Sequence, residues 1–324
     1  MKLIILVLIF LNTFVFANDI LTSYRINGID KIEKEMDLEL CKKEYWSDYL
    51  KNKDTTFGYL ESYENILTCN KEESSLNLYS NNKDKKIKFI KEYSAFTGKI
   101  KGDKKKEGDL KTPIGIYTIV QKLSKETNLN EFYGPLAFVT SYPNLYDIYR
   151  GKDGHGIWIH GLPTKQERDS FTRGCIAINN PNIECLNKNI DISKTLLIIN
   201  SSAVKKNISK DTLASILSQL YTWRYSWLYN DINNYLSFYS SDFQRNDGVK
   251  FDSFKTYKTR VFKKVEKKSI VFKSINIIPY PQSDNIFQIT FKEFYRSDTF
   301  KFIGDKILIV QIGTNNHIKI LTEK

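Results

Sequence analysis

The sequence has few of the residues that build metal centres. Among 324 residues there are only three histidines and four cysteines, and none of them follow a CxxC or HExxH spacing. Structural and catalytic zinc is usually held by such spacings. A metal site built from His155, His160, Cys175 and Cys185 is chemically conceivable but disfavoured, so we predict no metal and no cofactor.

Long apolar runs and disorder-promoting residues are scarce as well. Glycine and proline number 15 and 7, whereas aromatic residues make up 14% of the chain, which is typical of a folded globular protein. The one long apolar run, residues 3–16, follows Met1-Lys2 and precedes Ala17. A membrane span needs about 20 residues, so residues 1–17 are predicted to be a cleaved signal peptide of an exported protein. An uncleaved N-terminal anchor is the alternative.

The charge is strongly positive, with a formal net charge of +12. Lysine-rich runs at 83–88, 99–106 and 263–268 are expected to be solvated loops. In an exported protein their field favours an acidic polymer or an anionic membrane surface as partner. No motif typical of nucleic-acid binding is present, so we expect no nucleic-acid partner.

Apolar spacing divides the rest of the chain into three parts. Residues 18–62 show helical spacing and predict a small helical segment, whose apolar face docks on the next domain or on a second copy in a homodimer. Residues 63–200 predict a mostly-β domain. Its predicted strands are 75–79, 87–96, 114–120, 136–141, 157–159, 176–179 and 195–199, with a short helix at 181–188.

Residues 201–324 return to helical spacing and then to strands. The predicted elements are helices within 209–228, 231–239 and 251–261 and strands at 269–279, 286–296, 299–303 and 305–311. Helices followed by an antiparallel sheet predict an α+β domain. The order of elements resembles the nuclear-transport-factor-2-like (NTF2-like) fold. Tryptophan and tyrosine residues form a stripe on the C-terminal helices, and we predict that they belong to the hydrophobic core. An aromatic pocket that holds a ligand is the alternative.

The chemistry is concentrated in residues 154–180. His160 and Cys175 lie fifteen residues apart there, each next to a glycine and each at the end of a predicted strand. A cysteine attacks as its thiolate, and a nearby imidazole can take the thiol proton. Cys175 is therefore the candidate nucleophile and His160 the candidate base. If Cys175 must stay reduced, Cys41–Cys69 is the first disulfide to test, although spacing cannot fix a pairing.

Three motifs around these residues resemble the L,D-transpeptidase catalytic domain, also called the YkuD domain. They are the Thr-Pro-Ile-Gly-Ile-Tyr run at 112–117, the His-Gly step at 160–161 and the Thr-Arg-Gly-Cys-Ile-Ala run at 172–177. The resemblance covers residues 63–200 and implies a YkuD-like β-sandwich. It also implies action on peptidoglycan stem peptides through an acyl-enzyme.

The resemblance further implies roles for individual residues. Cys175 would be the nucleophile and His160 the base, while the Gly161 carbonyl would orient the imidazole. The backbone N–H groups of Gly174 and Cys175 would form the oxyanion hole. The family usually has arginine where this sequence has Ala177, and this departure disfavours transpeptidation.

Four more residues near the motifs are candidate substrate contacts: Arg173, Thr172, Trp158 and His155. Each has an alternative. Arg173 could be a solvated surface residue, Trp158 could pack beneath the site, and His155 could be structural or lie at the rim of the cleft.

The whole layout is similar to a narrower group, the L,D-carboxypeptidases that trim stem tetrapeptides to tripeptides and set helical cell shape in Campylobacter and Helicobacter. This similarity implies a periplasmic enzyme whose substrate is the peptidoglycan stem tetrapeptide. Cell-wall proteins would then be candidate partners of the C-terminal domain. An L,D-transpeptidase forming 3–3 cross-links and a non-catalytic wall-binding scaffold are the alternatives.

Overall fold

The computed structural model describes residues 20–324 except 82–85, 166–168, 205–206, 265 and 315. The predicted signal peptide lies outside the described residues. Within these ranges, none of the helices combines the length and the apolar character that crossing a membrane requires.

The N-terminal segment is helical, as the spacing predicts. A helical stretch at 20–27 is followed by α1 (Ile29–Leu40) and α2 (Lys43–Leu50), and then by the short strand β1 (Tyr59–Leu60). Trp46 and Leu50 on α2 are buried in the core of the C-terminal domain. Phe57, later in the same segment, packs in one cluster with Ile66 and Tyr79 of the mostly-β domain, and its ring lies 4.9 Å from the Tyr79 ring. The expectation that the segment docks on the next domain along the chain is therefore confirmed for Phe57, whereas α2 docks on the C-terminal domain.

The middle of the chain is the mostly-β domain that the sequence predicts. Its strands are β2 (Asn65–Asn70), β3 (Ser75–Asn81), β4 (Ile87–Phe96), β5 (Gly115–Ser124), β6 (Leu136–Thr140), β7 (Trp158–His160), β8 (Ile176–Ile178) and β9 (Thr195–Asn200), with helices α3 (Leu145–Tyr149) and α4 (Asn180–Asn189). They pair in the order β2-β3-β4-β8-β7-β6-β5-β9, which closes on itself. Two sheets share β4 and β5, so the expected two-layered β-domain is joined at both edges.

The C-terminal part is an α+β domain, again as predicted. Helices α5 (Lys210–Leu228), α6 (Ile232–Ser237) and α7 (Phe251–Phe262) precede strands β10 (Ser269–Pro279), β11 (Ile286–Arg296), β12 (Lys301–Ile312) and β13 (Ile318–Glu323). The antiparallel sheet has the order β1-β10-β11-β12-β13, so the N-terminal segment supplies its edge strand.

The sequence-based prediction of a strand break at Gly304 is wrong. The sequence predicts two strands separated at Gly304, whereas β12 is continuous and pairs Gly304 with Glu293 of β11. A Cβ atom at Gly304 would lie 2.5 Å from the ring of Phe302, so the glycine makes room for that ring instead of ending the strand.

The proposed disulfide is also contradicted. All four cysteines are free thiols. Cys41 follows α1, where its Sγ donates to the Asp37 carbonyl, whereas Cys69 is fully buried in β2 of the mostly-β domain. Cys69 belongs to the core of the mostly-β domain, whereas Cys41 is partly buried and follows Leu40, which packs against the core of the C-terminal domain. This separation explains why the two residues do not pair.

Candidate active site

Strands β7 and β8 bring the two candidate catalytic residues close together. They run parallel, with Ile159 opposite Ile176 and His160 opposite Ala177. Cys175 immediately precedes β8, and strand alternation extended by one residue predicts that its thiol lies on the same face as Ala177 and His160. Strand spacing and rise put the Cα atoms of Cys175 and His160 about 8 Å apart, within reach of a thiol and an imidazole.

The imidazole of His160 is held in one orientation. Its side chain is buried, with the residue 1% exposed, and Nδ1 lies 2.6 Å from the Gly161 carbonyl oxygen. Because a carbonyl only accepts hydrogen bonds, Nδ1 carries the proton and Nε2 is left as the basic atom. This geometry agrees with the orienting role that the motif implies for Gly161.

Asn180, at the start of α4, fixes the chain just after His160. Its Oδ1 accepts the Leu162 N–H at 2.7 Å, and its Nδ2 donates to the Leu162 carbonyl at 3.0 Å. A Cβ atom on Gly161 would come within 2.5 Å of this Oδ1, so only glycine fits there. Asn180 was not predicted, because its partner lies eighteen residues away and no local pattern joins them.

Tyr133 is a second residue that sequence reasoning misses. It ends a single helical turn, Glu131–Tyr133, in which the Phe132 N–H donates to the Asn130 side chain. Its ring meets the His160 ring edge-on at 5.0 Å and lies 4.8 Å from the ring of Trp158. Trp158 is half-buried against this ring, in line with the packing role weighed for it.

The turn that carries the nucleophile is tied by Thr172. The Thr172 hydroxyl accepts the Gly174 N–H at 3.0 Å and donates to the Cys175 carbonyl at 2.7 Å. Two expectations are corrected by this. Thr172 is 4% exposed with its hydroxyl engaged, so it positions the turn and does not face substrate. The Gly174 N–H points into the protein, so of the two predicted oxyanion donors only the Cys175 N–H stays a prediction.

Two further segments close around this turn. The thiol of Cys175, which is partly exposed, donates to the Gly156 carbonyl oxygen at 3.4 Å. Gly174 has a positive φ of 137°, and a Cβ atom there would lie 2.9 Å from the Lys111 carbonyl oxygen. The glycine therefore serves close backbone approach at this point.

The lysine-rich loop before Thr112 is less solvated than expected. Lys104 is 3% exposed, and its Nζ lies 2.8 Å from Asp109 Oδ1. Burial alone would raise the pKa of Asp109, but hydrogen bonds from Lys104 and from the backbone N–H groups of 105, 106 and 111 outweigh it and lower the pKa to about 2. The loop is held in place by a buried ion pair.

The chain matches known proteins over nearly all of its length. The L,D-transpeptidase (YkuD) catalytic domain model matches residues 64–199. The helical cell shape determining protein Pgp2 from Campylobacter jejuni is 39% identical, and the match covers 88% of this chain and 99% of that chain with a TM-score of 0.79. The chain belongs to the YkuD family.

Two other comparisons extend this result. The Cds6 C-terminal NTF2-like domain model matches residues 215–324. Bd1075 from Bdellovibrio bacteriovorus is 27% identical, with 84% of this chain and 96% of that chain covered and a TM-score of 0.66. No curated protein matches the chain at a significant level.

Three other residues in or near the YkuD motifs differ in solvent exposure. Ala177, where the family usually has arginine, is fully buried between β4 and β7. Arg173 is exposed beside the nucleophile. The side chain of His155 is 79% exposed and lies 3.9 Å from Glu107, which places it at the rim.

The C-terminal domain of this YkuD protein contains a cavity of about 600 Å³. Trp223, Tyr235 and Tyr239 of the aromatic stripe are core, as predicted, whereas Trp227 lines the cavity. Other lining residues are Tyr257, Lys258, Lys264, Lys268, Glu293, Tyr295 and Lys306. Burial lowers the pKa of Lys258 to about 8, and its Nζ lies 4.6 Å from the centre of the Trp227 ring.

Proposed function

We propose that this protein is a periplasmic L,D-carboxypeptidase that removes the terminal D-alanine from peptidoglycan stem tetrapeptides. The observation that carries the proposal is that His160 ends β7 and Cys175 immediately precedes β8, its parallel neighbour, with the imidazole fixed by the Gly161 carbonyl. YkuD family membership supports peptidoglycan as the substrate, and the similarity to Pgp2 supports a role in helical cell shape.

In the first half of the reaction, His160 Nε2 takes the Cys175 thiol proton and the sulfur attacks the carbonyl carbon of the third residue of the stem. The oxyanion that forms is received by backbone donors, with the Cys175 N–H as candidate. His160 then gives its proton to the amine of D-alanine as the peptide bond breaks. The products are free D-alanine and a thioester between the tripeptide and Cys175.

In the second half, water is the acceptor. His160 takes a proton from the water as its oxygen attacks the thioester carbonyl, and it returns that proton to the sulfur when the C–S bond breaks. The tripeptide leaves with a free carboxylate. Attack by an amine at this point would instead give a cross-link, which is the L,D-transpeptidase alternative.

Ala177 favours water over an amine acceptor. It lies beside His160 on the face that carries the nucleophile, and its methyl side chain supplies no positive charge there. The arginine that the family usually has is expected to orient substrate or to support the loop, so its absence argues against the joining of two stem peptides.

The C-terminal cavity is proposed as an accessory site for cell-wall components or cell-wall proteins. Its aromatic rings offer flat apolar faces to sugar or peptide, and its lysines offer positive charge to carboxylates. The exposed apolar side chains of the N-terminal helices, including Ile26, Ile29 and Met36, support a homodimer through that segment. Light scattering on the protein and on Ile29→Lys tests this: a monomeric wild type would contradict it.

A product assay tests the main proposal. The protein is incubated with disaccharide tetrapeptide, and products are separated by liquid chromatography. We expect D-alanine and disaccharide tripeptide, and neither product with Cys175→Ala or His160→Ala. Dimeric muropeptides would favour the transpeptidase. A wild type and a Cys175→Ala variant that are equally inactive, with Cys175 unreactive to a thiol-directed acylating probe, would support the scaffold alternative.

A further inference from the structure

The buried ammonium group of Lys152 has no part in the proposed chemistry. Lys152 Nζ is 2.6 Å from Asp103 Oδ2 and 2.9 Å from Asp147 Oδ1. The side chains of Lys152 and Asp147 are 5% and 0% exposed. Arg150 approaches the same two carboxylates from the more solvated side, at 3.0 Å from Asp147 and 3.7 Å from Asp103. We call these four residues the Lys152 cluster.

Each carboxylate of the Lys152 cluster also holds a different part of the catalytic domain. Asp103 Oδ1 accepts the Ile114 N–H at 2.8 Å, within the Thr-Pro-Ile-Gly motif. Asp147 Oδ2 accepts the Tyr117 hydroxyl at 2.9 Å, on β5. Lys152 therefore joins the lysine-rich loop and its motif to α3 and to the segment that leads into β7.

Both joined segments reach the nucleophile. Residues 152–157 end at the Gly156 carbonyl, which accepts the Cys175 thiol, and at Ile157, whose Cδ1 would lie 3.1 Å from a Cβ atom on Gly174. From the other side, the Lys111 carbonyl approaches Gly174 closely. The Gly174 turn therefore lies between the two segments that the Lys152 cluster joins.

The segments are also tied at a second place. The Glu107 N–H donates to Asp153 Oδ1 at 2.8 Å, and the Asp153 N–H donates to the Lys105 carbonyl at 3.1 Å. These two hydrogen bonds connect the segments at the exposed rim, whereas the ion pairs of Lys152 connect them in the interior. Removing a partner from a buried ion pair is strongly destabilising, and here it would leave two carboxylates facing each other with Arg150 as their remaining cation, on the more solvated side. The expected consequence is separation of the two segments.

We propose that Lys152 is a positioning residue for the nucleophile: by tying Asp103 to Asp147 it fixes the two segments that hold Cys175 and the Gly174 turn. The expected effect on kcat rests on the proposed function, whereas the expected effect on the reactivity of the Cys175 thiol does not. The role is one of positioning because the Lys152 ammonium is paired with the carboxylates of Asp103 and Asp147 and acts on Cys175 through the segments that they hold.

The test compares four variants in the full protein. Lys152→Met removes the ammonium, and Lys152→Met with Asp103→Asn also removes one of the opposed carboxylates while keeping an acceptor for the Ile114 N–H. Lys106→Met is the matched control, since Lys106 is an exposed lysine in the same loop. Asp37→Asn weakens a buried ion pair far from the site and controls for a loss of stability alone.

Two readouts are needed. The first is the rate of iodoacetamide alkylation at Cys175, followed on its own peptide by mass spectrometry. The second is kcat and KM for D-alanine release. We expect Lys152→Met to lower both the alkylation rate and kcat by about tenfold or more with little change in KM, because small displacements of reacting groups have large kinetic costs. The double variant should recover part of both, and Lys106→Met and Asp37→Asn should resemble wild type.

The proposal is overturned if Lys152→Met keeps the wild-type alkylation rate and kcat, or if Asp37→Asn lowers them to the same extent. Should Lys152→Met fail to fold, Asp103→Asn alone carries the test. It keeps the Ile114 hydrogen bond and weakens the tie, so an unchanged alkylation rate would again refute the role. A protein that releases no D-alanine but shows this alkylation pattern would refute the proposed function and leave Lys152 as a positioning residue.

Discussion

The Thr172 hydroxyl is the contact on which the shape of the nucleophile turn depends. Thr172→Val keeps the volume of the side chain but removes both hydrogen bonds, the one from the Gly174 N–H and the one to the Cys175 carbonyl. Gly174 is buried, so its N–H would lose its partner without access to water.

The magnitude follows from these two contacts. A hydrogen bond contributes about 1 kcal/mol net, and a buried N–H left unpaired costs about 1–3 kcal/mol. The free energy of unfolding should therefore fall by about 2–3 kcal/mol. For a domain of this size the unfolding temperature would drop by about 5–10 °C. Because the turn carries Cys175, kcat should fall by about tenfold or more, with a smaller change in KM.

The assay combines thermal unfolding by circular dichroism with steady-state D-alanine release at a temperature where the variant is folded. Thr172→Ser is the matched control, since it keeps the hydroxyl, and it should retain most of the wild-type kcat. A Thr172→Val variant with wild-type kcat would refute the assignment, as would a Thr172→Ser variant that loses as much activity as valine.

Three other substitutions test separate parts of the structure. Asp37→Ala leaves Arg224 buried without its 2.7 Å partner and should destabilise the protein by about 3 kcal/mol in urea unfolding; no change would mean that the pair does not anchor α1. Asn180→Ala should lower kcat more than it raises KM, because the chain after His160 loses both bonds to Leu162, and an unchanged kcat would contradict this. The lowered pKa of Asp109, about 2, means that its stabilising contribution is complete above its unfolded pKa of about 3.9 and is lost as the pH falls through 2. In Asp109→Asn the unfolding temperature should therefore fall less steeply as the pH is lowered than it does in the wild type. An equally steep fall would mean that other groups cause the acid destabilisation.

The sequence predicts the parts of this protein that depend on local pattern. Alternation and turn residues are enough to indicate a mostly-β domain followed by helices and a sheet, because each element buries its own apolar face. The spacing of the His-Gly and Gly-Cys steps is enough to single out His160 and Cys175, because His160 ends β7 and Cys175 immediately precedes β8, which is its neighbour.

What the sequence does not predict depends on contacts between distant residues. Asn180 and Tyr133 support His160 from other elements, and nothing in their own surroundings indicates this. Lys104 belongs to a run that resembles a solvated loop, yet a partner five residues away buries it. The strand β13 and the docking of α2 on the C-terminal domain depend on which apolar faces meet, which is a property of the whole fold.

The most direct test of the central claim is the product of a single reaction. Disaccharide tetrapeptide is incubated with wild-type protein and with Cys175→Ala, and released D-alanine is quantified together with the muropeptide products. The account predicts stoichiometric D-alanine and disaccharide tripeptide from wild type and none from Cys175→Ala. Unchanged tetrapeptide with wild-type protein, or equal D-alanine release from both proteins, would contradict it.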